Sequence, residues 1–240
     1  MTISQSGAKT FRDIPVERLV LLIRHAESEK NVLNFHGHNQ EKDYSLTAEG
    51  LDSATRLGRW LSQRIRLETI ATSFSLAPTQ TGQAIAAAHG IEVEQRKDLR
   101  AVYMGTISTL PDAEIIAKHP HLYEELSLYQ KGLLHPRNMT IPGMEAFATF
   151  ANRISEELLT LKQRQHPLAI VAHHSSLTML LHVMRSPRAN VLHRPYQRYQ
   201  FPNLSCTLVE SRSTGGADWE VRETAVAPET LYDAPAGDEQ

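Results

Sequence analysis

Two runs of five consecutive apolar residues, Leu19 to Ile23 and Leu168 to Ala172, constrain this chain more than any other feature. Neither run alternates with polar residues, so both faces of each segment must be covered, as they are in parallel strands packed between two layers of helices. Each run stops at histidine: Arg24-His25 follows the first and His173-His174 the second. Ligand sites in open parallel sheets form at the carboxyl ends of strands. His25 and His173 are therefore expected to face each other, although they are far apart in the chain.

The intervening sequence fits the same plan. From Thr47, a suitable N-cap, Leu51, Ala54, Leu57, Leu61 and Ile65 trace one face of a helix. Thr69 to Ser73 reads as a short strand and Thr79 to His89 as an alanine-rich helix closed by Gly90. Prolines 111, 120, 136 and 142 divide residues 100–142 into short pieces, with helices expected at Asp112 to Lys118 and Leu122 to Lys131, and this stretch reads as a small cap. Met144, Phe147, Phe150 or Ala151, Ile154, Leu158 and Leu161 then mark a long amphipathic helix. Ser175 to Met184 reads as the helix after the second run, and Asn203 to Ser211 and Trp219 to Arg222 as two last strands joined at Gly215-Gly216. The alternation predicts an α/β chain, a three-layer α/β/α sandwich around a mostly parallel sheet.

At 240 residues the chain is long enough for one main core. We divide it into a flexible lead-in (1–17), one domain (18–224, cap about 100–142) and a flexible Pro-rich acidic tail (225–240). Lys plus Arg number 25 and Asp plus Glu 27, a net charge of −2, so no overall basic field exists to hold nucleic acid or an acidic membrane. Phosphate recognition, if present, must be local. The single cysteine, Cys206, excludes an intrachain disulfide, and the polar start MTISQSGAKTFRDIP lacks the apolar stretch of a secretory signal. A cytoplasmic location and a small anionic partner are expected, with a homodimer as an option that no residue pattern identifies.

Arg24-His25-Ala26-Glu27-Ser28, with Asn31 three residues on, resembles the Arg-His-Gly motif of the histidine phosphatase superfamily. Leu46-Thr47-Ala48-Glu49-Gly50 resembles its LTxxG helix start, Val171-Ala172-His173 its second-histidine strand, and Phe201-Pro202-Asn203-Leu204-Ser205 its late PN-x-S strand. The resemblance spans about residues 19 to 211. It implies a phosphoglycerate mutase-like fold with a small helical cap, in the broad-specificity phosphatase branch. It further implies His25 as the nucleophile that forms a phosphohistidine, Arg24 and Asn31 as holders of phosphate oxygens, and His173 as a stabiliser of charge, with no metal or other cofactor; Ser28 and His174, the latter standing where the family generally has a small residue, are further substrate-binding candidates. Chemistry agrees, because a neutral imidazole attacks phosphorus without prior activation while fixed donors offset the charge on the phosphoryl oxygens.

Two positions depart from the family pattern. Ala77 stands where a second phosphate-binding arginine precedes the pair Gln80-Thr81, and Ala101 stands where the proton-donating glutamate is usual. General acid catalysis contributes roughly 10² to 10⁴ in rate and one charge donor about 3 to 4 kcal/mol, so losing both would nearly silence an unmodified phosphatase. Arg100, Arg137, Lys42, Asp43, Asp112 and Glu145 lie within conceivable reach but read as solvated charges, and Tyr196, Arg198 and Tyr199 as an ordinary packed loop. His174 is a candidate for the missing proton or charge. His36 and His38, with a strand-end histidine, would suit a metal, but a solvent-facing loop is the plainer reading. Three functions follow: a phosphomonoesterase on a small phosphorylated metabolite, an enzyme of different chemistry on the same scaffold, or a noncatalytic anion-binding protein. A mutase handling a bisphosphorylated intermediate would need more positive charge than these motifs supply.

Overall fold

The computed structural model describes residues 14–33, 43–186, 190–212 and 219–228. Six strands, β1 (Leu19–Arg24), β2 (Thr69–Ser73), β3 (Val93–Arg96), β4 (Leu168–Ala172), β5 (Cys206–Ser211) and β6 (Trp219–Val226), form one sheet in the order β3-β2-β4-β1-β5-β6. The first four in that order are mutually parallel, and β5 runs antiparallel to both its neighbours. The chain is thus a mostly parallel α/β sandwich, as the two apolar runs require.

Both runs are fully buried because each faces two cores. Val20 and Leu22 of β1 point into one cluster with Leu168, Ile170 and Ala172, while Leu19, Leu21 and Ile23 point into the other with Ala169 and Val171. Helices α2 (Ala48–Ser62) and α3 (Leu76–His89) cover the second cluster. The first is covered by α6 (Phe147–Lys162), α7 (His174–Met184) and the cap helices α4 (Asp112–Lys118) and α5 (Pro120–Gln130). A short helix, α1 (Glu29–Val32), follows β1.

Several boundaries differ from the sequence expectation. Strand β3 was not expected: Val-Glu-Gln-Arg is a half-exposed edge segment, so neither its composition nor its burial leaves a readable apolar period. Helix α3 begins at Leu76 rather than Thr79, because Pro78 lies in the first turn, where its missing N–H would have had no helical partner. Helix α6 begins at Phe147, after Met144, and α7 begins at His174. Strand β5 starts at Cys206 because the chain turns at Leu204, whose φ is +59°. Ile14 is buried in the second core and β6 runs to Val226, so ordered structure reaches past the limits at 17 and 225. The Gly215-Gly216 turn lies outside the described residues. Among those described, no helix is long and apolar enough to cross a membrane.

Candidate active site

Pairing of β1 with β4 sets Arg24 opposite Ala172, so the next residue of each strand, His25 and His173, emerges side by side. Their rings meet edge to face with centroids 5.2 Å apart. The family-like segments around His25 then have a common physical role, which is to hold the loop that carries it. The Ala26 N–H donates to Thr81 Oγ1 at 3.0 Å, and Thr81 Oγ1 donates to the Ala77 carbonyl at 2.8 Å. The Thr47 N–H donates to the Glu27 carbonyl at 3.0 Å, and the Thr47 side chain caps α2 by accepting from the Gly50 N–H. Gly50 must be glycine, since a Cβ there would lie 2.1 Å from the Glu27 carbonyl oxygen. Asn203 Nδ2 donates to the His25 carbonyl at 2.9 Å, and the Leu204 N–H to that of Arg24 at 3.1 Å.

His25 itself is fixed. Its Nδ1 lies 2.7 Å from the Ala26 carbonyl, which makes Nδ1 the protonated nitrogen and leaves the Nε2 lone pair free. Burial first, and the Arg24 charge second, push its pKa down to about 3. The ring is therefore neutral at physiological pH. Asn31 Oδ1 accepts from the Ser28 N–H and Oγ, both at 3.0 Å, and from Asn203 Nδ2 at 3.2 Å, leaving its own amide N–H groups for the pocket. His173 Nε2 lies 3.1 Å from the Ser75 hydroxyl at the start of α3.

These groups line a cavity of about 300 Å³ that takes in Arg24, His25, Ser28, Asn31, His173 and His174. Every site residue expected from the sequence is therefore in one place. Ala77 and Ala101 also face this cavity, so the two departures lie within it. Burial, then Arg198 and Arg24, lower the His174 pKa to about 3, which disfavours the positive charge expected of it. Of the possible replacements among the described residues, only Asp43 reaches the cavity, and its oxygens accept from the Leu76 N–H at 2.6 Å and the Tyr44 N–H at 3.2 Å. Arg100 and Glu145 are paired with each other at 3.3 Å, and Arg137 donates to the Leu192 carbonyl. Asp112 does not line the cavity, and Lys42, His36 and His38 lie outside the described residues.

Two cations that carry no motif do line it: Lys30, on α1, and Arg198, on the segment ahead of β5. Sequence reasoning missed Lys30, and it read Arg198 as ordinary packing. The only available signal for Arg198 was its aromatic and basic setting, Tyr196 to Tyr199. Lys30 is held to a pKa of about 8 by burial, which the nearby Asp43 partly offsets. Tyr129, Leu126, Met104 and Val102 add apolar surface to the cavity wall.

The buried neutral histidines carry a stability consequence. An unfolded imidazole titrates near 6.5, whereas His25 and His174 in the folded chain hold off protonation to about 3. Below about pH 6.5 the unfolded chain binds protons that the folded chain does not, so the stabilising contribution of these neutral rings is lost progressively as pH falls toward 3. Urea midpoints at pH 7, 5.5 and 4.5 should fall in that order, and His174→Gln should flatten the decline. An unchanged slope in that variant would mean that His174 is not buried in its neutral form.

The sequence pattern of the histidine phosphatase superfamily (branch 1) matches residues 20–223. Among solved structures, YhfR of Bacillus stearothermophilus superposes with a TM-score of 0.70 at 23% identity, covering 88% of this chain and 98% of that one. The mycobacterial glucosyl-3-phosphoglycerate phosphatase Rv2419c superposes with a TM-score of 0.68 at 18% identity, covering 88% of this chain and 99% of that one. The curated protein "Putative 6-phosphofructo-2-kinase/fructose-2,6-bisphosphatase YLR345W" of Saccharomyces cerevisiae is 30% identical over 129 residues, 54% of this chain. The matched region spans 22% of the length of that relative.

Proposed function

The chain belongs to the histidine phosphatase superfamily, and from that premise we propose that it is a phosphomonoesterase acting on a small phosphorylated metabolite through a phosphohistidine at His25. The observation that carries this reading is the state of His25, whose Nδ1–H is locked on the Ala26 carbonyl while Nε2 faces the cavity unprotonated. Nε2 attacks phosphorus, and the bond to the leaving oxygen breaks. Arg24 and the Asn31 amide hold the phosphoryl oxygens, with Ser28 beside them, and His173, steadied by Ser75, adds a further donor. Water then attacks the phosphohistidine to release phosphate and regenerate the neutral ring.

Leaving-group protonation is the step this cavity serves least. Ala101 offers no acid, and both Asp43 oxygens are engaged by backbone N–H groups. Aryl phosphates, whose leaving groups depart with little protonation, are expected to turn over about 10² times faster or more than alkyl phosphates. Phosphate release from a panel of both classes, with and without chelator, checks this. Comparable rates on the two classes would mean that a proton donor operates in the cavity after all. No release from any member, together with no acid-labile phosphate on His25 after a quench, would favour the repurposed scaffold to which Ala77 and Ala101 otherwise point.

A further inference from the structure

The cavity holds more positive charge than its own residues neutralise. Among the described residues three cations line it, Arg24, Lys30 and Arg198, against one carboxylate, Asp43. The charge of Asp43 acts on Lys30. Among the described residues neither Arg24 nor Arg198 has a carboxylate partner, although the two lie close enough for Arg198 to help lower the Arg24 pKa, mainly through burial, to about 10. Arg24 spends one N–H on the Phe201 carbonyl, but its Nε is buried without a partner. The Nε of Arg198 is buried and unpartnered in the same way. Like charges with unsatisfied donors converging on one cavity are unfavourable in a protein interior unless an anion joins them.

Arg198 is also held in place for such a role. Its guanidinium lies over the ring of Tyr129, 4.6 Å from the centroid, and Tyr129 in turn stacks on Tyr196 with centroids 6.5 Å apart. Stacking engages the face of a guanidinium and leaves its N–H edge available for a forked bond to an oxyanion. Ala77, by contrast, presents only a methyl group from the start of α3.

We propose that Arg198 is the second phosphate-binding guanidinium of this cavity, so that the dianion of a phosphomonoester is clamped between Arg24 and Arg198 and the charge absent at Ala77 is supplied from the segment ahead of β5. The inference rests on the phosphomonoesterase reading for its substrate, but anion binding tests it separately. Orthophosphate affinity by calorimetry, and kcat and KM on p-nitrophenyl phosphate, would be measured for wild type, Arg198→Ala and Arg198→Lys. Arg198→Ala is expected to weaken orthophosphate binding at least tenfold and lower kcat/KM at least about 10²-fold, the cost of one charge donor. Arg198→Lys should recover part of each loss. Added guanidinium ion at millimolar concentration should partly restore Arg198→Ala, a rescue that a purely structural arginine would not give.

Wild-type orthophosphate affinity and kcat/KM in Arg198→Ala would overturn the proposal and leave the phosphatase reading intact. Loss without guanidinium rescue, with an altered circular dichroism spectrum, would assign Arg198 a structural role and also overturn it. Arg198-dependent orthophosphate binding without turnover of any ester would uphold the clamp while removing the phosphatase.

Discussion

His25→Ala is expected to lower phosphate release from any monoester the protein hydrolyses by about 10⁴-fold or more, the scale on which loss of a covalent nucleophile acts. The reason is local. The Nδ1–H of His25 is held on the Ala26 carbonyl and its pKa is lowered to about 3, so that no proton need leave Nε2 before attack. The variant should fold, because removing the ring removes a buried imidazole rather than a structural contact between layers. Its urea midpoint at pH 5 should stand closer to its pH 7 value than that of wild type, since one of the rings that burial keeps neutral is gone. Colorimetric phosphate release and urea titration check the two halves independently. Turnover within tenfold of wild type would take His25 out of the reaction, and the family resemblance would then describe the scaffold alone.

Glu145→Ala is expected to destabilise the fold by about 3 kcal/mol, because it strips the carboxylate from a buried arginine. Glu145 receives Arg153 Nε at 2.7 Å and Nη2 at 2.8 Å, and Arg100 Nη2 at 3.3 Å, with both Glu145 and Arg153 under a tenth exposed. Arg153 also donates to the carbonyls of Asp98, Arg100 and Ala101. The cluster thereby pins the strand-to-cap loop that brings Ala101, Val102 and Met104 to the cavity wall. Burial raises the Glu145 pKa, but the Arg153 hydrogen bond and the charges of Arg153 and Arg100 outweigh it and hold the carboxyl below its ordinary value. A lowered carboxyl pKa stabilises the fold above the unfolded value near 4.3 and is lost as pH falls through the folded value. This contribution should therefore appear as extra acid sensitivity below about pH 4.3 in wild type that Glu145→Ala lacks. A variant with an unchanged urea midpoint would mean that the three carbonyls satisfy Arg153 unaided.

Much of the site was legible because its demands are demands on residue type. Gly50 cannot carry a Cβ, Thr47 must cap a helix, and Thr81 and Asn203 must supply donors or acceptors to a loop whose backbone groups have no strand partner. Such requirements leave short strings in the sequence. The apolar runs were equally plain, since a strand covered on both faces has no polar position to spare. Strand β3 left no trace because an edge strand needs neither, and the start of α3 was misplaced because a proline in the first turn reads as a breaker until the turn is seen.

The sequence by itself therefore determined the layered sheet, the pair of strand-end histidines and the motif residues that support His25, all of them set by local backbone chemistry and by burial. Only the tertiary structure decided the charge of the cavity. It neutralised His174 by burial, committed Asp43 to backbone N–H groups, closed Glu145 and Arg100 on each other, and carried Arg198 from the segment ahead of β5 onto Tyr129 of α5. Charges act through space, so a residue without a motif serves a site as well as one with a motif, and its place is set by how distant segments cross rather than by any string of residues.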